Sequence, residues 1–193
     1  MAQMQRHMLP IGQLMIEHRL TFRMVHLFNT ELDRIGKTGQ ADPDFIDTAT
    51  GYMREFADSC HHGKEERILF TRLAEKPLAP ELKKTMEDLI QEHVLMRKIT
   101  NDLVRAKEKY LKNDPGGKAE IISGLNDIVQ LYPAHMEKED KHFFFPAMGY
   151  LSDEEKDNMM DTFFEFDSRL FHDGYRATVA GLEERRDIKP RPR

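Results

Sequence analysis

Tryptophan is absent from this 193-residue chain, and Cys60 is its single cysteine. One cysteine excludes an internal disulfide and is the usage expected of a protein kept in a reducing cytoplasm. No uninterrupted apolar run is long enough for a transmembrane helix, so no segment is expected to span a membrane. The first ten residues lack the apolar core of a secretory leader. A basic excess is also missing. Lys+Arg number 29 against 34 Asp+Glu, for a formal charge of -5, which disfavours nonspecific nucleic-acid binding. What remains is a chain that is 39% hydrophobic and 33% charged, with 12 methionines. That composition suits a helical protein whose irregular core gaps are filled by flexible thioethers. Its length suits a single domain over residues 1–186, followed by a mobile Pro- and Arg-bearing tail over 187–193.

Periodicity predicts helices almost throughout. Ile11, Leu14, Met15, His18, Phe22, Val25 and Leu32 recur at helical spacing, giving a first helix over 11–35. Asp42-Pro43 reads as the cap and first turn of a second helix that runs to about residue 74. Pro77 and Pro80 mark the next loop. A third helix over 81–112 carries Leu82, Met86, Leu89, His93, Met96 and Leu103 on one stripe. The Asn113-to-Gly117 stretch is a turn, and a fourth helix follows with Ile121, Leu125, Ile128, Tyr132, His135, Glu139 and Phe143 in line. Pro133 should kink it just before His135. Ser152 and Glu155 read as a capping box opening one additional C-terminal helix over 152–185. Its aromatic face should cover the bundle or form a homodimer contact.

Two stretches of the chain echo each other. His61-His62-Gly63-Lys64-Glu65-Glu66 aligns with His135-Met136-Glu137-Lys138-Glu139-Asp140, and a Glu-His doublet precedes each, Glu17-His18 and Glu92-His93. The step from His18 to His61 matches that from His93 to His135 to within one residue. Each half thus offers one His from its first helix and a His-x3-Glu pair from its second. Four residues apart on a helix, a His and a Glu share a face. A single His at such a position is most often structural. Four at matching offsets with two glutamates point to a metal site made by His18, His61, Glu65, His93, His135 and Glu139. His62/Glu66 has the same spacing as His61/Glu65, and periodicity does not choose between them. The echo does, because His61 aligns with His135 and His62 with Met136; His62 is then expected to support the ligands or face the surface. His26 is expected to be a flank residue, and Cys60 a small buried residue rather than a thiolate ligand. Gly63 inside the second helix costs roughly 1 kcal/mol relative to Ala, and its bare backbone would let another helix or a ligand approach.

Ligand counting sets the expected chemistry. Four imidazoles and two bridging carboxylates serve two metal ions, with an oxide or hydroxide bridge as a further ligand and a sixth position left open on each. Mixed nitrogen and oxygen donors without thiolate suit iron or manganese, and zinc less so. Of these, iron is the one that handles dioxygen, nitric oxide and peroxide by redox cycling.

His18, His61-x3-Glu65, His93 and His135-x3-Glu139, with Lys64-Glu65-Glu66, Leu69-Phe70 and Lys138-Glu139-Asp140 around them, resemble the hemerythrin-like (HHE cation-binding) family over about residues 11–148. The resemblance implies an all-α, up-down-up-down four-helix bundle around a non-haem di-iron centre, with the additional C-terminal helix as an extension. It also exposes two departures. Arg97 stands where oxygen-carrying hemerythrins have a second histidine on the third helix. Asp140 fits their His-x4-Asp spacing, so it competes with Glu139, which the echo favours. One histidine fewer implies a more open site. That shifts the expectation from reversible oxygen carriage towards reaction with nitric oxide or peroxide. The alternative is a module that senses iron or oxygen, or donates iron, without turnover. A ferritin-like carboxylate oxidase would need two Glu-x2-His motifs, and Glu139-x2-His142 is the one present among these residues.

Overall fold

The protein is described by a computed structural model over residues 9–168 and 172–188. Leu170 and Phe171 of the expected aromatic face, the tail beyond residue 188 and the first eight residues lie outside that range. The described residues are helical, with no strand among them, and none of their helices is long and apolar enough to cross a membrane.

Helix α1 spans Pro10–Thr38. Pro10 fits the first turn because its missing N–H would have had no intrahelical partner there. The helix ends at Gly39, whose φ of 72° lies in the left-handed region and whose N–H reaches the Ile35 carbonyl at 2.8 Å. A residue without Cβ takes that turn at little cost. Helix α2 covers residues 43–74. Asp42 caps it by accepting from the Phe45 N–H at 3.0 Å, with Pro43 next, as the sequence predicts. The helix is regular over Pro43–Tyr52, widens to π geometry over Met53–His62 and again over Glu65–Phe70, and closes at Thr71–Ala74. In the first wide stretch the Gly63 N–H bonds five residues back, to Asp58.

Helix α3 spans Pro80–Leu111, and α4 covers residues 117–148. Between them Gly117 is packed so tightly on the Tyr110 backbone that a Cβ there would collide with it. Helix α4 continues through Pro133, and its irregular stretch falls later, as a π turn over Glu139–Phe143. The expected capping box is present, with Ser152 and Glu155 bonding each other's backbone N–H at 3.2 and 2.9 Å. It opens α5, Asp153–Asp167, and α6 follows over His172–Arg185. The extension is therefore two helices rather than one. The two are bedded in different places: Met159 and Phe163 of α5 pack with Ile11 and Leu14 near the start of α1. Val179 and Leu182 of α6 pack with Met24 and Phe45 towards its other end. Arg23 grips Glu183 through two bonds, and Arg186 reaches Glu31 and Asp42, so α6 is tied to the α1–α2 turn.

Helices α1 to α4 form the up-down-up-down bundle, and their apolar stripes make two clusters. One holds Met24, Phe28, Met53, Phe56, Met96, Leu103, Leu125 and Tyr132. The other holds Leu14, Phe70, Leu73, Leu89, Phe143 and Phe144. Between the clusters lies a layer of buried histidine and glutamate.

Candidate metal centre

The polar layer receives side chains from all four bundle helices. His18 comes from α1; His61, His62 and Glu65 from α2; His93 from α3; His135 and Glu139 from α4. Each is at most 3% exposed. His18, His61, His93 and His135 sit within apolar stripes, so the same packing that buries Leu14 or Met96 carries an imidazole inwards.

Their donor atoms form two four-membered groups, His18/His61/Glu65/Glu139 and His62/Glu65/His93/His135. Within each group the donors lie within 4.8 Å of one another. Glu65 belongs to both. Its Oε1 is 3.4 Å from His61 Nε2, and its Oε2 is 3.5 Å from His93 Nε2. Glu139 spans the groups from the opposite side: its Oε2 lies 3.2 Å from Nε2 of both His18 and His135, and its Oε1 3.9 Å from His93 Nε2.

The outer ring nitrogens are held by a second set of carboxylates. His18 Nδ1 pairs with Asp140 at 2.8 Å, His61 Nδ1 with Glu17 at 2.9 Å, His93 Nδ1 with Glu66 at 2.8 Å, and His135 Nδ1 with Glu92 at 2.8 Å. The pattern follows the internal echo. The Glu of each Glu-His doublet holds the histidine of its own hairpin's second helix, while Glu66 and Asp140, which follow the inward glutamates, hold the histidine of the opposite hairpin. An N–H donated from Nδ1 leaves the Nε2 lone pair facing the centre, the tautomer a metal requires. Lys64, Arg97 and Lys138 pair in turn with Glu17, Glu66 and Glu92.

The residues fit a cation. Nε2 of His18 and His61, Nδ1 of His62 and all four oxygens of Glu65 and Glu139 are buried with no hydrogen-bond partner. A buried polar atom left so costs about 1–3 kcal/mol, and more when charged. The Nε2 atoms of His93 and His135 face each other at 3.1 Å. With both Nδ1 protons donated outwards, these are two lone pairs at contact, an arrangement that calls for a positive charge between or beside them. Protonation responds to the same deficit. Burial, and then the charge of Glu139, push the Glu65 carboxyl well above its ordinary range. Burial would also raise Glu139, but His135 and His18 outweigh it and hold Glu139 well below that range. Burial pulls His18 down, yet Asp140 and Glu139 lift it to about 9. Burial takes His61 down to about 4 and His62 well below its usual value, keeping both neutral and able to offer a lone pair.

All six residues singled out from the sequence thus meet in one layer. The seventh, His62, was expected to support the ligands or face the surface. It is buried rather than at the surface, and its ring stacks on His93, with centroids 3.9 Å apart. The π geometry is the reason. A regular α-helix turns successive side chains by about 100°, whereas the wider turn over Met53–His62 brings two neighbours to the interior together. The His-His doublet was the available signal. Arg97 does not enter the centre; its guanidinium bonds Asp58 at 2.6 Å and Glu66 at 2.7 Å. Asp140 acts on His18 from outside, and Glu139 faces inwards. His26 and His142 are exposed, so Glu139-x2-His142 does not bring a second imidazole to the layer. Cys60 is buried, with burial pushing its thiol up. Above Gly63, a Cβ would meet Phe166 of α5 at 3.0 Å, so the bare backbone does admit another helix.

Searches against curated proteins and against solved structures returned no match. A comparison with protein families matched residues 9–147 to the one described as Hemerythrin HHE cation binding domain, a span that contains all seven inward donors and their four carboxylate partners. The chain belongs to the hemerythrin HHE cation-binding family.

Proposed function

We propose that the protein is a non-haem di-iron protein that binds or reduces a small ligand, dioxygen, nitric oxide or peroxide. In this reading His18 and His61 hold one ion, His62, His93 and His135 hold the other, and Glu65 and Glu139 span the two. The observation that carries it is the pair of donor groups sharing Glu65, with seven of their buried donor atoms lacking a hydrogen-bond partner. The donor set holds nitrogen and oxygen and no thiolate, which favours iron or manganese over softer-ligand metals. Bound iron would supply one-electron redox chemistry and a coordination position for a small ligand.

The chain's own residues supply the rest. Asp140, Glu17, Glu66 and Glu92 orient the four imidazoles through Nδ1, a role whose loss typically weakens metal binding about 10–100-fold. Phe144 stacks against His18 at 5.7 Å and Phe70 against His93 at 6.1 Å, which excludes water from one side of the layer. Burial of every donor also suits the second reading, a module that senses iron or oxygen or donates iron without turnover, because a closed shell retains its ions.

Metal analysis of aerobically purified chain, with stoichiometry, is the first test. Two iron ions per chain and a near-ultraviolet absorption are expected, and His62→Ala should lower the metal content while leaving His18 and His61 occupied. Spectral change with nitric oxide or peroxide, followed by turnover, supports the redox reading; change without turnover supports the sensing module. A zinc-only protein would refute both; iron-loaded protein inert to every small ligand would refute the redox reading and leave the module that senses or donates iron.

A further inference from the structure

We propose that a small cavity between α2 and α3 is the port through which small ligands reach the centre, arriving on the His62 side. The inference rests on the metal centre proposed above. The cavity has a volume of about 170 Å³. Its inner wall includes His62, Thr100 and Tyr132, each at most 3% exposed, and its mouth is framed by the exposed Arg54 and Asn101. The cavity therefore joins solvent to one of the seven inward donors. His62 Nδ1 has no hydrogen-bond partner and lies 3.5 Å from Asp58, which also lines the cavity.

Size and charge define what can pass. A water takes roughly 30 Å³ of liquid, so the space suits a diatomic or triatomic molecule and falls short of the roughly 300 Å³ at which organic-ligand pockets begin. Two guanidinium groups, Arg54 and Arg97, face one carboxylate, Asp58, along the walls. The admitted class is thus small and neutral or monoanionic. Two straps cross from α2 to α3: Arg54 bonds Asn101 at 2.7 Å at the mouth, and Asp58 bonds Arg97 at 2.6 Å deeper in. Two other approaches are covered. Phe70 and Phe144 close one side, and α5 lies over Gly63. A larger groove of about 830 Å³ runs along the outer face of α3 and α4, and none of the seven donors lines it.

The test uses iron-loaded full-length chain and azide, a triatomic anion, followed by stopped-flow absorbance. Asn101→Trp places an indole across the mouth. It should slow azide association and dissociation together, by about tenfold, because each passage then waits for a side chain to swing. The equilibrium Kd and the metal content should not change. Arg54→Ala removes the outer strap and, because it also removes a cation, should speed both rates for nitric oxide, a neutral diatomic. Val94→Trp, at a 53% exposed position of α3 outside the cavity, should leave them as they are. Wild-type rates in both mouth variants would overturn the port. So would equal slowing by Val94→Trp, or a changed Kd at an unchanged association rate, which would make Asn101 a binding group. Iron-loaded wild type that binds neither azide nor nitric oxide would instead overturn the small-ligand function, and the port with it.

Discussion

Lys64 and Lys138 occupy equivalent places in the two halves of the chain, yet their removal should have very different costs. Each pairs with the glutamate that holds a histidine: Lys64 with Glu17, beside His61, and Lys138 with Glu92, beside His135. The difference lies in the cover. Helix α5 lays Asp167 against Lys64 at 2.9 Å, and the Lys64 side chain is 0% exposed, whereas that of Lys138 is 33% exposed. Lys64→Ala leaves Glu17 and Asp167 in the interior without their shared cation. Breaking a buried ion pair from one side costs about 3–5 kcal/mol. Lys138→Ala leaves Glu92 within reach of water, where such a pair is worth about 0–1 kcal/mol. The gap of at least about 2 kcal/mol corresponds to about 1 M in urea midpoint for a slope near 2 kcal/mol/M. Both variants would be unfolded metal-free, followed by circular dichroism, so that loss of an ion does not contribute. Restoring neutrality with Lys64→Met, Glu17→Gln and Asp167→Asn together should recover much of the loss, because a pair replaced on all sides costs less than one broken. Equal midpoints for Lys64→Ala and Lys138→Ala would refute the reasoning.

Two further outcomes follow from the geometry. His135→Ala should purify with less metal than wild type, whereas His26→Ala, altered at an exposed site, should match wild type by mass spectrometry; equal content in both would count against the ligand assignment. Gly117→Ala forces a Cβ into the Tyr110 backbone and should cost about 1–3 kcal/mol in chemical denaturation, as overpacking typically does; unchanged stability would show that the α3–α4 turn adjusts freely.

Much of this arrangement was legible before the structure because it repeats. His18, His61, Glu65, His93, His135 and Glu139 stand at matching offsets, and the stripes that bury them have ordinary helical periodicity. The competition between Glu139 and Asp140 resolves in the geometry into a division of labour, one inward and one on His18 Nδ1. The equivalence of Asp140 with Glu66 already hinted at that. The burial of His62 beside His93 is not legible on a helical wheel, which presumes a constant turn, and nothing in Met53–His62 advertises a π stretch. The split of the extension into α5 and α6 was hidden for another reason. It depends on which cluster each half packs into, a property of the folded whole rather than of the local sequence.

The wide turns of α2 make chain length a variable that this protein cannot spend freely. Dropping a single residue from Met53–His62 would let part of the helix relax towards ordinary pitch, and the neighbours His61 and His62 would no longer turn to the interior together. Point changes on that helix disturb one contact at a time, but a deletion there takes one of two adjacent imidazoles out of the layer. Among relatives, a gap in this segment is therefore a better marker of altered chemistry than a handful of exchanged side chains.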